Sequence, residues 1–239
     1  MNDTPGFRPL YRQVYDILVR KIAEGVWKPG EMLPSEQAIA REMGVSHGTV
    51  RKVLDALTAE NLLLRRQGKG TFVAEHDQAR ALFRFFHIAR PGGERLVPES
   101  IKIKIKARPS RAIESERLGL RAKDAVFEIT RLRLIDGKPA IRETIILPQR
   151  LFPRLDRIGD LPNTLYSLYQ SQFGITVAAA REELRAAAAT KEDESSLGLK
   201  VGKPILVIGR VALSLTGQPV EWRESRVRTD HMVYAVTLQ

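Results

Sequence analysis

Residues 44–57 read GVSHGTVRKVLDAL, and this stretch decides the fold of the N-terminal part of the chain. Its apolar residues follow the i, i+3, i+4, i+7 spacing of a helix that buries one face. They are Val50, Val53, Leu54 and Leu57. Ser46 stands where an N-cap belongs, so the pattern predicts a helix that begins directly after it.

A second helix is predicted just upstream, in LPSEQAIAREMG at residues 33–44. Ser35 is a suitable N-cap, Glu36 adds the anion that the first turn favours, and Gly44 is suited to end the helix. About three residues separate the two helices, which is the spacing of a helix-turn-helix. A further helix is predicted before them, because apolar residues recur at helical spacing over residues 11–22.

The segment after these helices predicts a hairpin. LLLRRQGKGTFV, residues 62–73, contains two short β-rich runs joined by a tight turn with glycine. Helices followed by such a hairpin make a winged helix. The next segment, AEHDQAR, is polar and has no apolar period, so we place the domain boundary there. The predicted domains are residues 1–75 and 81–239, joined by a linker at residues 76–80.

The remainder of the chain predicts antiparallel strands. SIKIKIKA, residues 100–107, alternates strictly, as a half-buried strand does, and its three lysines are expected to face solvent. Two β-rich runs flank Asp136 and Gly137, which is a strong hairpin signal. A second pair of such runs flanks Thr216 and Gly217.

Helices are predicted between these hairpins, in NTLYSLYQSQFG at residues 163–174 and in TKEDESSLGL, where Thr190 is the N-cap. The fold class is therefore α+β. We expect an N-terminal winged helix-turn-helix followed by an antiparallel sheet domain with helices. The edge strands of that sheet are suited to pair between chains.

Composition restricts the classes of function. The 239 residues include no cysteine, which excludes disulfides, thiolate metal sites and cysteine nucleophiles. No apolar run is long enough to span a membrane and no leader is evident, so a cytoplasmic protein is expected. The net charge of +11 attracts anions such as nucleic acid. Residues 1–75 hold only 11 Lys and Arg against 9 Asp and Glu, so most of the excess lies further along the chain.

The start of the helix after Ser46 is the first candidate site. In a helix-turn-helix, the N-terminal residues of the second helix enter the major groove of DNA. His47 is then a candidate base reader, while Thr49 and Arg51 are candidates for phosphate or base contacts. Gly48 costs a helix about 1 kcal/mol relative to alanine, and close approach to DNA explains that cost. The alternative is that these residues only face solvent.

Residues 9–74 have LPSEQAIAREMGVSHGTVRKVLDALTAENLLLRRQGKGTFV at their centre, and they resemble the winged helix of the GntR family of bacterial transcription regulators. The resemblance implies that the wing tip enters the minor groove. The family often has Arg where this chain has Gln37 and, in some members, His47, so a different operator sequence is expected. The residues expected at DNA are Ser35, Gln37, Ser46, His47, Gly48, Thr49, Arg51, Gln67, Gly68 and Lys69.

The rest of the chain contains further short motifs, which follow one another in the same order as in a known family. Among them are RLR at residues 131–133, DGKP at 136–139, TLY at 164–166 and PVE at 219–221. With them, residues 80–238 resemble the effector-binding UTRA domain of the HutC subfamily, whose fold is similar to chorismate lyase. The resemblance implies a pocket in which arginines and a hydroxyl bind an anionic group while glutamates hold hydroxyls or amines. The residues implied are Arg131, Arg133, Glu143, Thr164, Tyr166 and Glu221.

The two arginines of this set support the same interpretation by their spacing. Arg131 and Arg133 are two residues apart on a predicted strand and therefore share one face. A guanidinium group binds phosphate or carboxylate through two parallel hydrogen bonds. The alternative is a structural network in which both arginines pair with Glu143 or Glu221.

A transcription regulator is the first hypothesis for function. It would be a homodimer that binds a near-palindromic double-stranded DNA operator, as a repressor, under control of a small anionic metabolite. A chorismate lyase-like enzyme domain fused to a DNA-binding head is the alternative, but fold does not imply function and no nucleophile motif is present. The four histidines lack metal-ligand spacing, so neither metal nor cofactor is expected. An architectural DNA-binding protein is the third hypothesis, and the full second domain argues against it.

Overall fold

The structure is a computed structural model that describes residues 8–75 and 85–237. The chain divides into two compact units, with the division between Glu75 and His76. The linker predicted at residues 76–80 lies outside the described residues, and each unit is described by itself.

Three helices and a hairpin form the N-terminal unit. They are α1 (Leu10–Ala23), α2 (Glu36–Met43), α3 (His47–Ala59), β1 (Leu63–Arg66) and β2 (Gly70–Val73). The two strands pair antiparallel. The predicted winged helix-turn-helix is therefore confirmed.

Local signals set the ends of α2 and α3. The Ser35 hydroxyl accepts a hydrogen bond from the N–H of Ala38 at 3.2 Å, and the Ser46 hydroxyl accepts one from the N–H of Thr49 at 3.2 Å. Gly44 ends α2 in the left-handed conformation that glycine adopts most readily. Each residue of the predicted apolar stripe of α3 is buried, with at most 1 % of its surface exposed. It consists of Val50, Val53, Leu54 and Leu57.

The C-terminal unit is built on a six-stranded antiparallel sheet with strand order β4-β5-β6-β9-β8-β7. Its strands are β4 (Glu99–Pro109), β5 (Ala125–Ile135), β6 (Lys138–Pro148), β7 (Val177–Ala188), β8 (Pro204–Ser214) and β9 (Pro219–Val227). Two short strands, β3 (Ile88–Ala89) and β10 (Val233–Tyr234), pair separately. The helices are α4 (Ala112–Leu118), α5 (Leu165–Phe173) and α6 (Lys191–Leu197). This confirms the predicted antiparallel sheet domain with helices.

Helices cover both faces of the sheet. Tyr169 of α5 packs with Ile129 and Ile145 on one face, whereas Leu197 of α6 packs with Leu132 on the other. Side chains alternate between faces along a strand. Positions 131, 133 and 143 therefore lie on the face that α5 covers. The lysines of β4 are exposed, as predicted, and the hairpin predicted at Asp136 joins β5 to β6.

A buried carboxylate anchors α6. Asp193 forms the capping box with Thr190, whose hydroxyl accepts a hydrogen bond from the Asp193 N–H at 3.3 Å. The Asp193 carboxylate accepts hydrogen bonds from Arg226 at 2.7 Å and Arg142 at 3.1 Å, and the side chain is fully buried. Burial raises the pKa of Asp193, but the hydrogen bonds from Arg226 and Thr190 outweigh it and leave the pKa well below its ordinary value.

We expect Asp193→Asn to destabilise the C-terminal unit by about 3 kcal/mol, because it removes the anion from a buried ion pair and takes away the carboxylate that pairs with the largely buried Arg226 guanidinium. Glu192→Gln is the matched control. Glu192 lies on the same helix, is mostly exposed and pairs with Arg142, and such surface pairs contribute little. Denaturant unfolding followed by circular dichroism measures both variants, and equal midpoints for the two would contradict the assignment.

The low pKa of Asp193 also sets a pH dependence. A carboxylate whose pKa is depressed in the folded state stabilises it above the unfolded value of about 3.9, and this contribution is lost as the pH falls through the folded value. Wild-type protein and Asp193→Asn should therefore differ most at neutral pH and converge in acid.

Candidate functional site

The residues predicted to meet DNA lie on the surface of the N-terminal unit. They come from the start of α2, the start of α3 and the turn between β1 and β2. Thr49 is half-buried, and the others are exposed, namely Ser35, Gln37, Ser46, His47, Gly48, Arg51, Gln67, Gly68 and Lys69. The wing turn is closed by a hydrogen bond from the N–H of Lys69 to the carbonyl of Arg66 at 2.9 Å.

The carboxylate of Glu36 links α3 to strand β1 of the wing. Glu36 accepts a hydrogen bond from Nε of Arg51 at 3.1 Å and lies 2.9 Å from Nε2 of His47. Its other oxygen accepts a hydrogen bond from Arg65 of β1 at 3.3 Å, and Arg65 also pairs with Asp55. Glu36 therefore holds three basic side chains together at the surface. The sequence predicted only its effect on the helix dipole and missed this contact, because its partners lie far along the chain.

No contact with residues 8–75 or 85–237 requires glycine at position 48. A Cβ placed there would meet only the Ser46 hydroxyl, at 3.9 Å, which is an ordinary van der Waals distance. The residue lies in the first turn of α3 and is exposed. The space beside Gly48 is thus open to a partner.

The second candidate site is a cleft on the α5 face of the C-terminal sheet. Five of the six predicted effector-binding residues line it, and they are Arg131, Arg133, Glu143, Thr164 and Tyr166. Glu221 lies outside this lining and is fully buried. Thr164 precedes α5, so the N-terminus of this helix faces the arginines.

Strand register explains why these side chains meet. Arg131 of β5 lies opposite Glu143 of β6, which lies opposite Ser225 of β9. Arg133 follows two residues later on the same face. The neighbouring row of the sheet runs through Glu182, Arg210 and Arg223.

Glu143 is held by several donors. It accepts a hydrogen bond from Nε of Arg131 and one from the Ser225 hydroxyl at 3.1 Å, and Arg223 and Arg133 lie 3.5 and 3.8 Å away. Burial raises the pKa of Glu143, but the charges of Arg131, Arg223 and Arg133 leave it well below its ordinary value. Glu143 therefore stays ionised in the cleft.

Glu221 lies beneath the cleft and forms hydrogen bonds with residues that line it. Its two oxygens accept hydrogen bonds from the hydroxyls of Tyr166 at 3.1 Å and Tyr169 at 2.7 Å. Arg223 donates to both oxygens, at 3.0 and 2.8 Å. Burial and the nearby Glu221 carboxylate raise the pKa of Tyr166 to about 12, so this hydroxyl remains protonated. Glu221 positions Tyr166 and Arg223, and it has no free oxygen for a ligand.

Two buried polar atoms at the cleft lack a hydrogen-bond partner within the described ranges: Nε of Arg133 and Nδ1 of His87. Arg133 is 3 % exposed, and among the described residues it donates only to Asn163, whose side-chain oxygen lies 3.0 Å away. Burial lowers the pKa of Arg133 to about 9, so the group is charged at neutral pH but short of counter-charge. Buried donors without partners are rare in proteins and call for an explanation.

The charge of the cleft is unbalanced. Its arginines outnumber the carboxylates around them by four to three, and every member of the group is at most 14 % exposed. They are Arg131, Arg133, Arg210 and Arg223 against Glu143, Glu182 and Glu221. Because an uncompensated buried charge is costly, this arrangement favours binding of an anion.

The space for a ligand is divided in two. The cleft has a cavity volume of about 50 Å³, which holds a few water molecules. A cavity of about 370 Å³ adjoins it and shares Phe85, His87 and Arg210 with its lining.

Sequence reasoning missed several residues of the cleft, namely His87, Asn163, Arg210, Arg223 and Ser225. A signal was present for two of them. Glu221, Arg223 and Ser225 recur at every second position of β9, so they share one face of the strand. His87, Asn163 and Arg210 are single residues in separate segments, and only the fold brings them together.

Among residues 8–75 and 85–237, no helix is both long and apolar enough to cross a membrane. The same residues contain no group of three or more His, Asp or Glu side chains arranged to hold a metal ion.

Two family models match separate parts of the chain. The sequence model of the UTRA domain matches residues 93–233, and that of the bacterial regulatory proteins of the gntR family matches residues 10–73. The HTH-type transcriptional repressor NagR of Bacillus subtilis is 30% identical over 227 residues, which cover 95% of this chain and 93% of the relative. The mannosyl-D-glycerate transport/metabolism system repressor MngR of Escherichia coli is 28% identical over 235 residues, 98% of each chain.

A solved structure is similar in fold. The crystal structure of PhnF from Mycobacterium smegmatis matches with a TM-score of 0.58 at 23% identity, over 95% of this chain and 99% of the other. Together with the family matches, the winged helix and the sheet domain identify the molecule. The chain belongs to the GntR family of bacterial regulatory proteins and is a DNA-binding transcription regulator with a UTRA domain.

Proposed function

We propose that the protein is a homodimeric repressor, acting in the cytoplasm, whose affinity for a near-palindromic operator is set by a small anionic metabolite in the cleft of the C-terminal unit. The two N-terminal units place their α3 helices in successive major grooves. Ligand binding changes operator affinity because the ligand has different affinities for the two arrangements of the dimer. Repression is supported by the names of the relatives NagR and MngR.

The observation that carries the anionic ligand is the excess of buried arginine. Arg133 has a buried Nε–H without an acceptor, and a carboxylate or phosphate supplies the acceptor and the missing negative charge together. The N-terminus of α5 next to the arginines favours an anion as well.

The carboxylates of the cleft support binding rather than catalysis. A general base works best when its pKa lies near the working pH. The pKa of Glu143 is far below that range, and arginines occupy its oxygens. The Tyr166 hydroxyl has a pKa of about 12 because of burial and Glu221. We infer that these groups orient a ligand and do not transfer protons.

A thermal-shift panel of carboxylate and phosphate metabolites, each beside its uncharged analogue, tests the ligand class. A ligand that binds only the folded state raises Tm with its concentration. We expect stabilisation by anions and none by the uncharged analogues. Stabilisation by uncharged compounds alone would overturn the anionic class and leave the DNA-binding function standing.

We expect Arg133→Gln to weaken binding of the anion found in this way by about tenfold or more, since a hydrogen bond to a charged group contributes about 1.5–3 kcal/mol. Operator binding without ligand should not change. Arg121→Gln is the control, because Arg121 is 92% exposed in the same unit. Isothermal titration calorimetry measures the affinities, and an unchanged affinity in Arg133→Gln would refute the assignment.

Arg51→Ala should weaken operator binding and leave anion binding unchanged. If Arg51 contacts a phosphate, the variant binds all DNA sequences less well and the slope of log K against log salt falls by about one. If it reads a base, discrimination at one operator position is lost instead. Fluorescence anisotropy with operator and scrambled DNA separates the two. Arg20→Ala on α1 removes the same charge from the same unit and should behave as wild type.

Gly48→Ala distinguishes an effect of Gly48 on protein stability from an effect on operator binding. Because a Cβ at this position meets no close atom of the residues that the structure describes, alanine should leave stability unchanged or raise it by up to about 1 kcal/mol. Operator affinity should fall, since the methyl group occupies space next to DNA. A variant that binds operator as tightly as wild type would contradict the close approach of DNA to Gly48.

A further inference from the structure

The guanidinium group of Arg133 has two donors on one side, Nε and Nη2, and they have unequal surroundings. Nη2 donates to the side-chain oxygen of Asn163 at 3.0 Å and to its carbonyl oxygen at 3.4 Å. Nε is buried and has no partner within residues 8–75 or 85–237. These two donors match the spacing of the two oxygens of a carboxylate. One half of this pair is thus occupied by an amide oxygen, and the other half is vacant.

Two other arginines of the same unit show the same pair of donors fully occupied. Arg223 donates from Nε and Nη2 to the two oxygens of Glu221, at 3.0 and 2.8 Å. Arg226 donates from Nε and Nη2 to the two oxygens of Asp193, at 2.9 and 2.7 Å. In both pairs a carboxylate fills both positions and neutralises the guanidinium charge. Asn163 has one side-chain oxygen and no charge, so it satisfies one donor and leaves the charge uncompensated.

The side chain of Asn163 is held in place by the segment that begins β4. Its nitrogen donates to the carbonyl of Pro98 at 2.7 Å, and its oxygen also accepts a hydrogen bond from the Ser100 hydroxyl at 3.0 Å. These contacts fix the orientation of the amide, because the reverse orientation would place its NH₂ group against the Arg133 guanidinium. Asn163 therefore connects the cleft to the start of β4.

A β-bulge in β4 turns Ser100 towards Asn163. The pairing of β4 with β5 shifts by one residue around Lys102, whose φ is +51°. Ser100 consequently lies opposite Arg133 and on the same face of the sheet. Without the shift, Ser100 would point to the other face, because side chains alternate along a strand. Bulges of this kind re-aim side chains beside functional sites, and this one supplies a hydrogen bond to Asn163.

We propose that the side chain of Asn163 competes with the anionic ligand for Arg133: it occupies Nη2 in the free protein, and a carboxylate or phosphate displaces it to bind both Nη2 and Nε. This proposal rests on the anion binding of the proposed function and assigns a residue that sets its affinity. The exchange favours the anion, because two charge-assisted hydrogen bonds replace one to a neutral amide and the guanidinium charge is compensated.

Displacement of the amide also changes the start of β4. When the Asn163 side chain leaves Arg133, the Pro98 carbonyl and the Ser100 hydroxyl lose the partner that they have in the free protein. The first residues of β4 are then held by fewer hydrogen bonds. Anion binding in the cleft therefore loosens a strand at the edge of the sheet.

Asn163→Ala tests the competition, because it removes the amide and leaves Arg133 in place. Isothermal titration calorimetry of the full-length protein with inorganic phosphate, and separately with acetate, measures anion affinity at constant ionic strength. We expect the variant to bind the anion about tenfold more tightly than wild type, since the anion no longer displaces a hydrogen bond to a charged group. Gln172→Ala is the control, because it removes an exposed amide from α5 and should bind as wild type does.

Asn163→Asp should change the affinity in the opposite direction. The carboxylate has nearly the shape of the amide, and it supplies the missing negative charge to Arg133 from within the protein. We expect anion affinity to fall about tenfold or more. Both variants lose the hydrogen bond to the Pro98 carbonyl, so a purely structural role of Asn163 predicts weaker binding in both.

Hydrogen–deuterium exchange tests the link between the cleft and β4. Phosphate should raise the exchange of the backbone amides of residues 99–101 in wild-type protein. It should have no such effect in Asn163→Ala, where the link is already absent. Unchanged exchange of residues 99–101 in wild-type protein saturated with phosphate would contradict displacement of the amide.

The outcomes separate this proposal from the proposed function. Anion binding by wild-type protein that Asn163→Ala weakens or leaves unchanged refutes the competition and leaves the anion site intact. Wild-type protein that binds neither phosphate nor acetate, or binds them equally well as Arg133→Gln, refutes both the anion site at Arg133 and the competition for it.

Discussion

The C-terminal unit depends on a group of buried charges held on one face of a single antiparallel sheet. A buried charge is tolerated only when it is paired and hydrogen-bonded, and the register of β5, β6, β8 and β9 provides that pairing. Glu143 lies among three arginines, and Glu221 is enclosed by Arg223 and two tyrosines. Apolar side chains of similar size would pack there without this electrostatic cost. The uncompensated charge of Arg133 is the basis of the proposed affinity of this unit for anions.

The N-terminal unit presents its basic side chains to DNA although its net charge is small. Its net charge is small, so its preference for DNA rests on where the basic groups lie rather than on how many there are. Glu36 holds Arg51, His47 and Arg65 near each other, which limits the conformations of side chains that are otherwise free in solvent. We expect DNA phosphates to compete with Glu36 for these groups. In that case the carboxylate arranges the basic surface before binding and disfavours contacts that do not replace it.

Much of this could be predicted from sequence because the signals were local. Caps at Ser35, Ser46 and Thr190 set helix starts, and Asp136 with Gly137 set a hairpin. These depend on residues within a few positions of each other. The common face of positions 131 and 133 followed from the period of a strand. Arg131 and Arg133 were interpreted either as ligand-binding residues or as members of a structural network with Glu143 or Glu221. Both arginines do lie close to Glu143. A structural role in this cluster does not exclude the proposed ligand binding.

The parts that could not be predicted depend on distant residues. β7 is rich in Ala, Glu and Arg, which favour helix, and no local pattern predicts that it becomes a strand at the edge of the sheet. Arg210 joins the cleft only because β8 lies next to both β7 and β9. The position of Glu221 beneath the cleft, with its oxygens saturated, likewise depends on two tyrosines more than 50 residues away.

The central claim is that anion and operator binding are coupled. The most direct measurement is the affinity of one stabilising phosphate or carboxylate metabolite for the free protein and for the protein saturated with operator. Linkage requires that the ratio of these two affinities equal the ratio of operator affinities with and without the metabolite. We expect equal ratios that differ clearly from one. Equal affinity of the metabolite for free and operator-bound protein would contradict it.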